Sequence, residues 1–153
     1  MKGEEVRETP EPDLNLKVSA YIPQDYMPDP ADKLAYYRQL SGLKAEEELS
    51  SIESDMRDRF GPLPPEVYAL FEVMAVKLYL KKLGVKVIDF GNEKIVLTFS
   101  DNTSVQPQQV IELIQKDSAT YRLREPNKFV VKCKTVTDIL PIVRRLIEEW
   151  RVL

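Results

Sequence analysis

The longest apolar pattern in the chain lies between residues 65 and 83 and is typical of a helix buried on two sides. One side carries Val67, Leu70, Phe71, Met74 and Leu78, and the opposite side carries Val73, Val76, Leu80 and Leu83. A helix that is apolar on opposite sides normally packs between layers of structure. We therefore expect a core helix over roughly residues 65–83, ending at Gly84.

The segment Arg59–Pro65 predicts a sharp corner in front of this helix. Gly61 favours the left-handed conformation that ends a helix, and Pro64 and Pro65 suit a first turn, whose N–H groups need no partner. The preceding helix is expected from about Lys44 to Phe60. Its apolar stripe is Leu49, Ile52, Met56 and Phe60, and its first turn holds Glu46, Glu47 and Glu48.

The N-terminal part of the chain predicts an extended arm followed by a first helix. Residues 1–13 are acidic, contain two prolines and are interpreted as a disordered lead or linker. Alternating apolar positions from Leu14 to Ile22 predict an extended segment. The first helix would be capped by Asp29 or Asp32. Its expected apolar residues are Leu34, Tyr37 and Leu40.

After Gly84 the apolar period changes to two, which predicts strands. A first hairpin turns at Gly91-Asn92, a short helix starts at Pro107, and a second hairpin turns at residues 125–127. In the second hairpin, Tyr121 and Leu123 are expected to face inward, opposite Phe129, Val131 and Cys133. Thr135 or Thr137 would cap the last helix.

The fold class predicted from these elements is α+β, with a single domain over residues 14–153. An N-terminal extended arm and three helices come first. Two β-hairpins then form a small, largely antiparallel sheet with two helices.

Composition excludes several classes of function. The 153 residues contain no histidine and one cysteine, Cys133, so His-based catalysis, a thiolate zinc site and an intrachain disulfide are excluded within this chain. The five glycines form neither a P-loop nor a dinucleotide fingerprint. The single thiol, with no signal peptide and no apolar run of membrane-spanning length, predicts a cytoplasmic protein. Residues 1–13 account for the whole net charge of −3.

A mixed-charge flank on the second predicted helix is a candidate docking surface. Asp58 and Arg59 follow Asp55 by three and four residues, so the three side chains are neighbours on one flank. Charges beside a rigid corner can give a docking surface its register and selectivity. The alternative is a solvated helix face, since exposed ion pairs are common and contribute little.

A basic hairpin face is the one candidate for nucleic-acid contact. Arg122 and Arg124 alternate on one strand, and Lys132 and Lys134 alternate on its partner. The face lacks interleaved aromatic residues, and the chain as a whole is not basic. The alternative is a charged sheet edge that discourages pairing with other sheets.

Three segments together resemble the C-terminal domain of bacterial transcription-repair coupling factors. They are Tyr21–Asp29, Lys33–Arg38 and Asp58–Pro64, and the resemblance extends over about residues 14–150. The family pattern leads us to expect arginine at Lys33, a departure that preserves the charge. By position, the resemblance implies that Asp55, Asp58 and Arg59 are interdomain contacts.

The resemblance also implies a function. The family is an ATP-driven DNA translocase that removes stalled RNA polymerase and recruits UvrA for excision repair. Its terminal module would be a non-catalytic, autoinhibitory clamp that packs on the UvrB-like N-terminal region and masks the UvrA-binding surface. The module itself would need no cofactor, because ATP serves the motor of the parent protein. UvrA, RNA polymerase and DNA would be indirect partners, and a membrane would not be involved.

Overall fold

The computed structural model describes residues 11–151, which divide into two compact units. One unit is residues 17–78, and the other combines the described residues before it with those from 79 onward. The elements are β1 (Asp13–Asn15), α1 (Pro30–Ser41), α2 (Glu48–Phe60), α3 (Pro65–Leu83), β2 (Val85–Gly91), β3 (Lys94–Phe99), α4 (Pro107–Lys116), β4 (Tyr121–Arg124), β5 (Lys128–Lys132) and α5 (Ile139–Trp150). The predicted α+β class is confirmed.

Extended structure begins before Leu14, the first residue of the predicted domain. Residues 1–10 of the predicted lead lie outside the described residues, but Glu11 forms an ion pair with Lys81, with 2.6 Å between Oε2 and Nζ. Asp13 already belongs to β1, which pairs in parallel with β2. The strand is shorter than the predicted arm, since it ends at Asn15 and Lys17 adopts a φ of +62°.

The start of α1 is set by a side-chain cap. Asp29 Oδ1 accepts a hydrogen bond from the Ala31 N–H at 2.9 Å, so Asp29 rather than Asp32 is the cap. The apolar side of this helix differs from the predicted one. Tyr36 and Leu40 are buried, while Leu34 is 52% exposed. Two overlapping apolar stripes occur in this sequence, and helical spacing alone does not distinguish between them.

The corner between α2 and α3 lies where the sequence predicts it. α2 starts at Glu48, four residues later than expected, and its last turn is closed by a bond from the Gly61 N–H to the Arg57 carbonyl at 2.9 Å. Gly61 has a φ of +92° and a ψ of −171°. This combination is extended rather than left-handed helical, and it is essentially restricted to glycine.

The core of the unit formed by residues 17–78 brings together the arm, α1, α2 and α3. Its buried residues are Ile22, Met27, Tyr36, Leu40, Ile52, Met56, Leu63, Val67, Leu70 and Phe71. The arm is held by backbone and side-chain bonds, since the Tyr21 N–H donates to the Glu66 carbonyl and the Ile22 N–H donates to the Tyr37 hydroxyl at 2.8 Å. Residues on four segments therefore share one core.

The other unit contains a five-stranded sheet with the order β1-β2-β3-β5-β4. All neighbouring strands are antiparallel except β1 and β2. The first hairpin turns one residue later than predicted, because Gly91 pairs with Lys94 and leaves Asn92 and Glu93 as a two-residue loop. Both loop residues have positive φ, as a type I′ turn requires.

One face of the sheet carries the core of this unit. Phe129 packs edge-on against Trp150 of α5, with 5.1 Å between ring centroids, and stacks on Tyr121 at 5.6 Å. Leu123 pairs with Phe129 and so lies on the predicted inward face, but its side chain is 49% exposed. β4 is an edge strand, so Leu123 has a neighbouring strand on one side only. The prediction that Thr135 or Thr137 caps the last helix is wrong, because the residue at the N-cap of α5 is Asp138. Thr135 instead precedes a 3-10 turn formed by Val136–Asp138.

Gly84 joins α3 to β2 in a space that excludes any side chain. Its φ is +79°, and a Cβ placed there would lie 2.5 Å from the Thr103 Cα. The Gly84 carbonyl also accepts bonds from both the N–H and the Oγ of Ser100. The loop after β3 is therefore packed directly on the glycine backbone.

We expect Gly84→Ala to lower the free energy of unfolding by about 2–4 kcal/mol, because it adds both positive-φ strain and a clash with backbone. Urea denaturation followed by circular dichroism measures the change. Gly91→Ala is the matched control, since an added Cβ there meets nothing within 4 Å and the φ is ordinary. Equal losses for the two variants would contradict this account.

Candidate docking surface

The predicted flank on α2 is organised by a buried tyrosine of α1. Tyr36 is 1% exposed, and its hydroxyl donates a hydrogen bond to Asp55 Oδ2. The same hydroxyl accepts a bond from Arg59 Nη1 at 2.9 Å. Asp55 and Arg59, four residues apart on one helix, are thus connected through one phenol oxygen.

Ring contacts fix the Arg59 guanidinium further. Its Cζ lies 5.0 Å from the centroid of the Phe60 ring and 5.7 Å from that of Tyr36, distances typical of cation–π contact. Arg59 Nη2 also forms an ion pair with Asp32 Oδ1 at 3.4 Å, so α1 contributes a negative charge to this group. The side chain stays half-exposed, which leaves part of its donor fork facing solvent.

The electrostatic state of this group follows from its hydrogen bonds. Burial raises the pKa of the Tyr36 phenol above its ordinary value of 10.0, and the bond to Asp55 raises it further. The bond to Tyr36 raises the pKa of Arg59 above its usual range. At neutral pH the tyrosine is therefore a neutral donor and the arginine a fixed cation.

Asp58 completes the flank and differs from its two neighbours. It is exposed and makes no hydrogen bond or ion pair within residues 11–151. The three predicted residues thus lie together on one helix, but only Asp58 has its whole carboxylate available. Asp55 and Arg59 each combine exposure with a bond that holds α1 to α2.

A second surface lies beside the Gly61 corner and was missed by the sequence reasoning. It is a cavity of about 480 Å³ lined by Tyr21, Pro23, Asp25, Tyr26, Pro62, Pro64 and Glu66. Tyr26 closes its base, since its hydroxyl donates to the Gly61 carbonyl at 2.8 Å. The sequence shows tyrosines in the arm and prolines at the corner, but it does not show that the two segments lie close together.

The predicted basic residues are all exposed in the other unit. Arg122 and Arg124 lie on the edge strand β4, Lys132 ends β5, and Lys134 follows it. These basic residues and the three residues of the α2 flank lie on different elements. Lys94 and Lys128 join them on the sheet, as the strand register shows.

Cys133 does not resemble a reactive thiol. It is 2% exposed, and its Sγ contacts the Thr135 carbonyl at 3.2 Å. Burial raises the pKa of the thiol, with Asp138 adding to the effect, so the thiolate is disfavoured.

Within the described residues, no helix is long and apolar enough to cross a bilayer.

Comparison with known proteins identifies the family. The model of the TRCF domain matches residues 16–110, which is more than half of the chain. This chain belongs to the TRCF domain family. The match includes all of α1, α2 and α3, and therefore the whole candidate docking surface.

The TRCF relatives are full-length transcription-repair-coupling factors. The protein from Haemophilus influenzae is 33% identical over 117 residues, covering 76% of this chain and 10% of that protein. The Escherichia coli protein is 32% identical over 139 residues, covering 90% of this chain and 12% of that protein. This chain thus spans about a tenth of the length of its relatives.

A solved structure shows the same fold. The crystal structure of the C-terminal domain of a transcription-repair coupling factor matches with a TM-score of 0.80 over 94% of both chains. The sequence identity in that comparison is 23%, so it establishes the fold of the TRCF domain alone. It extends the likeness into β4, β5 and α5, which lie beyond the family-model match.

We expect Tyr36→Phe to lower the free energy of unfolding by about 1–2 kcal/mol, since one hydroxyl serves both Asp55 and Arg59. Thermal and urea unfolding measure the effect. Tyr121→Phe is the control, because its hydroxyl has no partner among the described residues. A loss no greater than that of the control would show that the Asp55–Tyr36–Arg59 connection does not stabilise the domain.

Proposed function

We propose that this chain is a non-enzymatic regulatory domain of a transcription-repair coupling factor. In this proposal it docks on the UvrB-like N-terminal region of the same polypeptide and restrains the motor until RNA polymerase is engaged. The observation that carries the proposal is the charged flank of α2, whose arginine is held in place by Tyr36 and Phe60.

The geometry of the flank supports docking because its charges are ordered before any partner arrives. Ordering a long side chain at an interface costs about 0.5–1.5 kcal/mol, and a side chain that is already fixed avoids most of this cost. Arg59 is fixed by two aromatic rings and by Asp32. A solvated helix face would not need these contacts.

Mixed signs on the flank support selectivity. Asp58 presents a free carboxylate one residue before a fixed guanidinium, so a partner must offer a cation and an anion in matching order. Like-charge juxtaposition in a wrong register would be costly. Such a surface suits an intramolecular contact that must release cleanly, because polar rims contribute more to register than to affinity.

Masking of the UvrA-binding surface follows from the same docked arrangement and is part of the proposal. RNA polymerase, UvrA and DNA would then be partners of the parent protein, reached only indirectly by this domain. The domain would use no cofactor, and ATP would be hydrolysed by the motor elsewhere in the polypeptide. The proposed compartment is the cytoplasm.

Asp58→Lys is the variant that tests docking most sharply. We expect it to bind a separately produced N-terminal region of the parent protein about tenfold more weakly, a change of about 1.4 kcal/mol, with unfolding unchanged. In the full-length protein the same variant should raise ATPase activity and UvrA binding. Binding measured by calorimetry and steady-state ATPase assays supply the readouts.

Asp101→Lys is the matched control. Asp101 is exposed in a turn after β3, and its substitution changes the net charge by the same amount. Asp55 is better tested as Asp55→Asn, which removes charge but keeps an oxygen for the Tyr36 hydroxyl. Unchanged docking and unchanged ATPase activity in Asp58→Lys would exclude this flank as the interdomain contact.

A further inference from the structure

The register of the sheet gathers cationic side chains on one face, although they are scattered in the sequence. Residues paired directly across antiparallel strands share a face, as do alternate residues along a strand. Arg124 pairs with Lys128, and Lys94 pairs with Lys132. Arg122 is two residues from Arg124 on β4. The five cations occupy an area of about 10 by 14 Å on β3, β5 and β4.

Two pairs of like charge face each other directly on this surface. Lys94 opposes Lys132, and Arg124 opposes Lys128. Like charges at directly opposed positions destabilise a sheet. Lys128 Nζ donates to Thr98 Oγ1 at 3.1 Å, but none of the five cations forms an ion pair within residues 11–151. The fold therefore keeps a repulsive arrangement that it does not neutralise.

Protection of a sheet edge explains only part of this arrangement. Charged residues on β4 would discourage pairing with another sheet, because β4 is an edge strand. Lys94 and Lys132 lie on β3 and β5, which both have strands on either side. Cations at interior positions do nothing for the edge. They do form a continuous positive surface with Arg122 and Arg124.

The uncharged side chains on this face indicate which anion it suits. Thr98 and Val130 are buried, and Val87 and Val96 are half-buried, so no large apolar side chain is available to a protein partner. The paired positions on this face include no aromatic residue on which an unpaired base could stack, because the paired aromatic residues lie on the core face. The acidic residues Asp13 and Asp89 share this face on β1 and β2, so the acidic side borders the cations at Lys94. Asp89 accepts a hydrogen bond from Asn15 Nδ2 at 2.7 Å.

We propose that the face formed by Lys94, Arg122, Arg124, Lys128 and Lys132 binds the phosphate backbone of a nucleic-acid duplex. The proposed contacts are to phosphates, which carry no sequence information, so binding is independent of base sequence. Bound phosphates offset the repulsion within the two opposed pairs. This site is separate from the α2 flank and does not depend on its docking role.

The test uses this chain and a fluorescein-labelled 25-base-pair DNA duplex, with anisotropy measured at several salt concentrations. Five phosphate contacts predict a slope of about −4.5 in log K against log salt concentration. Lys94→Gln with Lys132→Gln should weaken binding at least tenfold at low salt and change the slope to about −2.7. Its melting temperature should equal or exceed that of the wild type, because one like-charge pair is gone.

Lys44→Gln with Lys116→Gln is the matched control, because both lysines are exposed, lie outside the sheet and give the same change in net charge. The proposal requires that this control binds DNA as the wild type does. It is overturned by absence of binding at 20 mM salt or by an equal loss in the control. Tighter binding to polyglutamate than to the duplex at equal charge would also overturn it, in favour of an acidic protein segment.

Discussion

The unit formed by residues 17–78 depends on the corner at Gly61. Its N–H closes the last turn of α2 on the Arg57 carbonyl, and its own carbonyl accepts the hydroxyl of Tyr26 from the arm. The glycine conformation, with φ at +92° and ψ at −171°, lets α2 end and α3 begin within five residues. Since nothing lies within 4 Å of a Cβ built there, backbone freedom rather than space requires glycine.

This corner also determines what the charged flank can do. The corner holds the end of α2, and the buried stripe holds its length. Tyr36 of α1 therefore contacts a fixed part of α2, where its hydroxyl connects Asp55 to Arg59. The flank is therefore part of the packing between two helices as well as a surface. A substitution at Asp55 alters both, whereas Asp58 contributes to the surface alone. This distinction separates residues that present the flank from the residue that is free to contact a partner.

The sequence was sufficient for the element types, the corner and the core helix, because strong periodicity and Gly and Pro signals specify them. It was insufficient where the local sequence allows two alternative choices of buried side chain. Tyr36 and Tyr37 are adjacent and equally apolar, and only tertiary packing decides that Tyr36 is buried and Tyr37 half-buried. Leu123 alternates correctly for an inward position, yet it is exposed because β4 lies at the edge of the sheet. Strand order is a non-local property, and alternation within one strand does not contain it.

The same non-local information separates the two charged surfaces. On α2, helical spacing alone identifies Asp55, Asp58 and Arg59 as neighbours, so sequence reasoning could propose the flank, although not its connection through Tyr36. On the sheet, Lys94 and Lys132 become neighbours only because β3 pairs with β5 rather than with β4. Alternation in one hairpin predicts a charged edge, whereas the observed register extends the cations to interior strands and sets like charges opposite each other. An edge needs no such extension, and an uncompensated repulsion inside a sheet is a physical reason to look for the anion that relieves it.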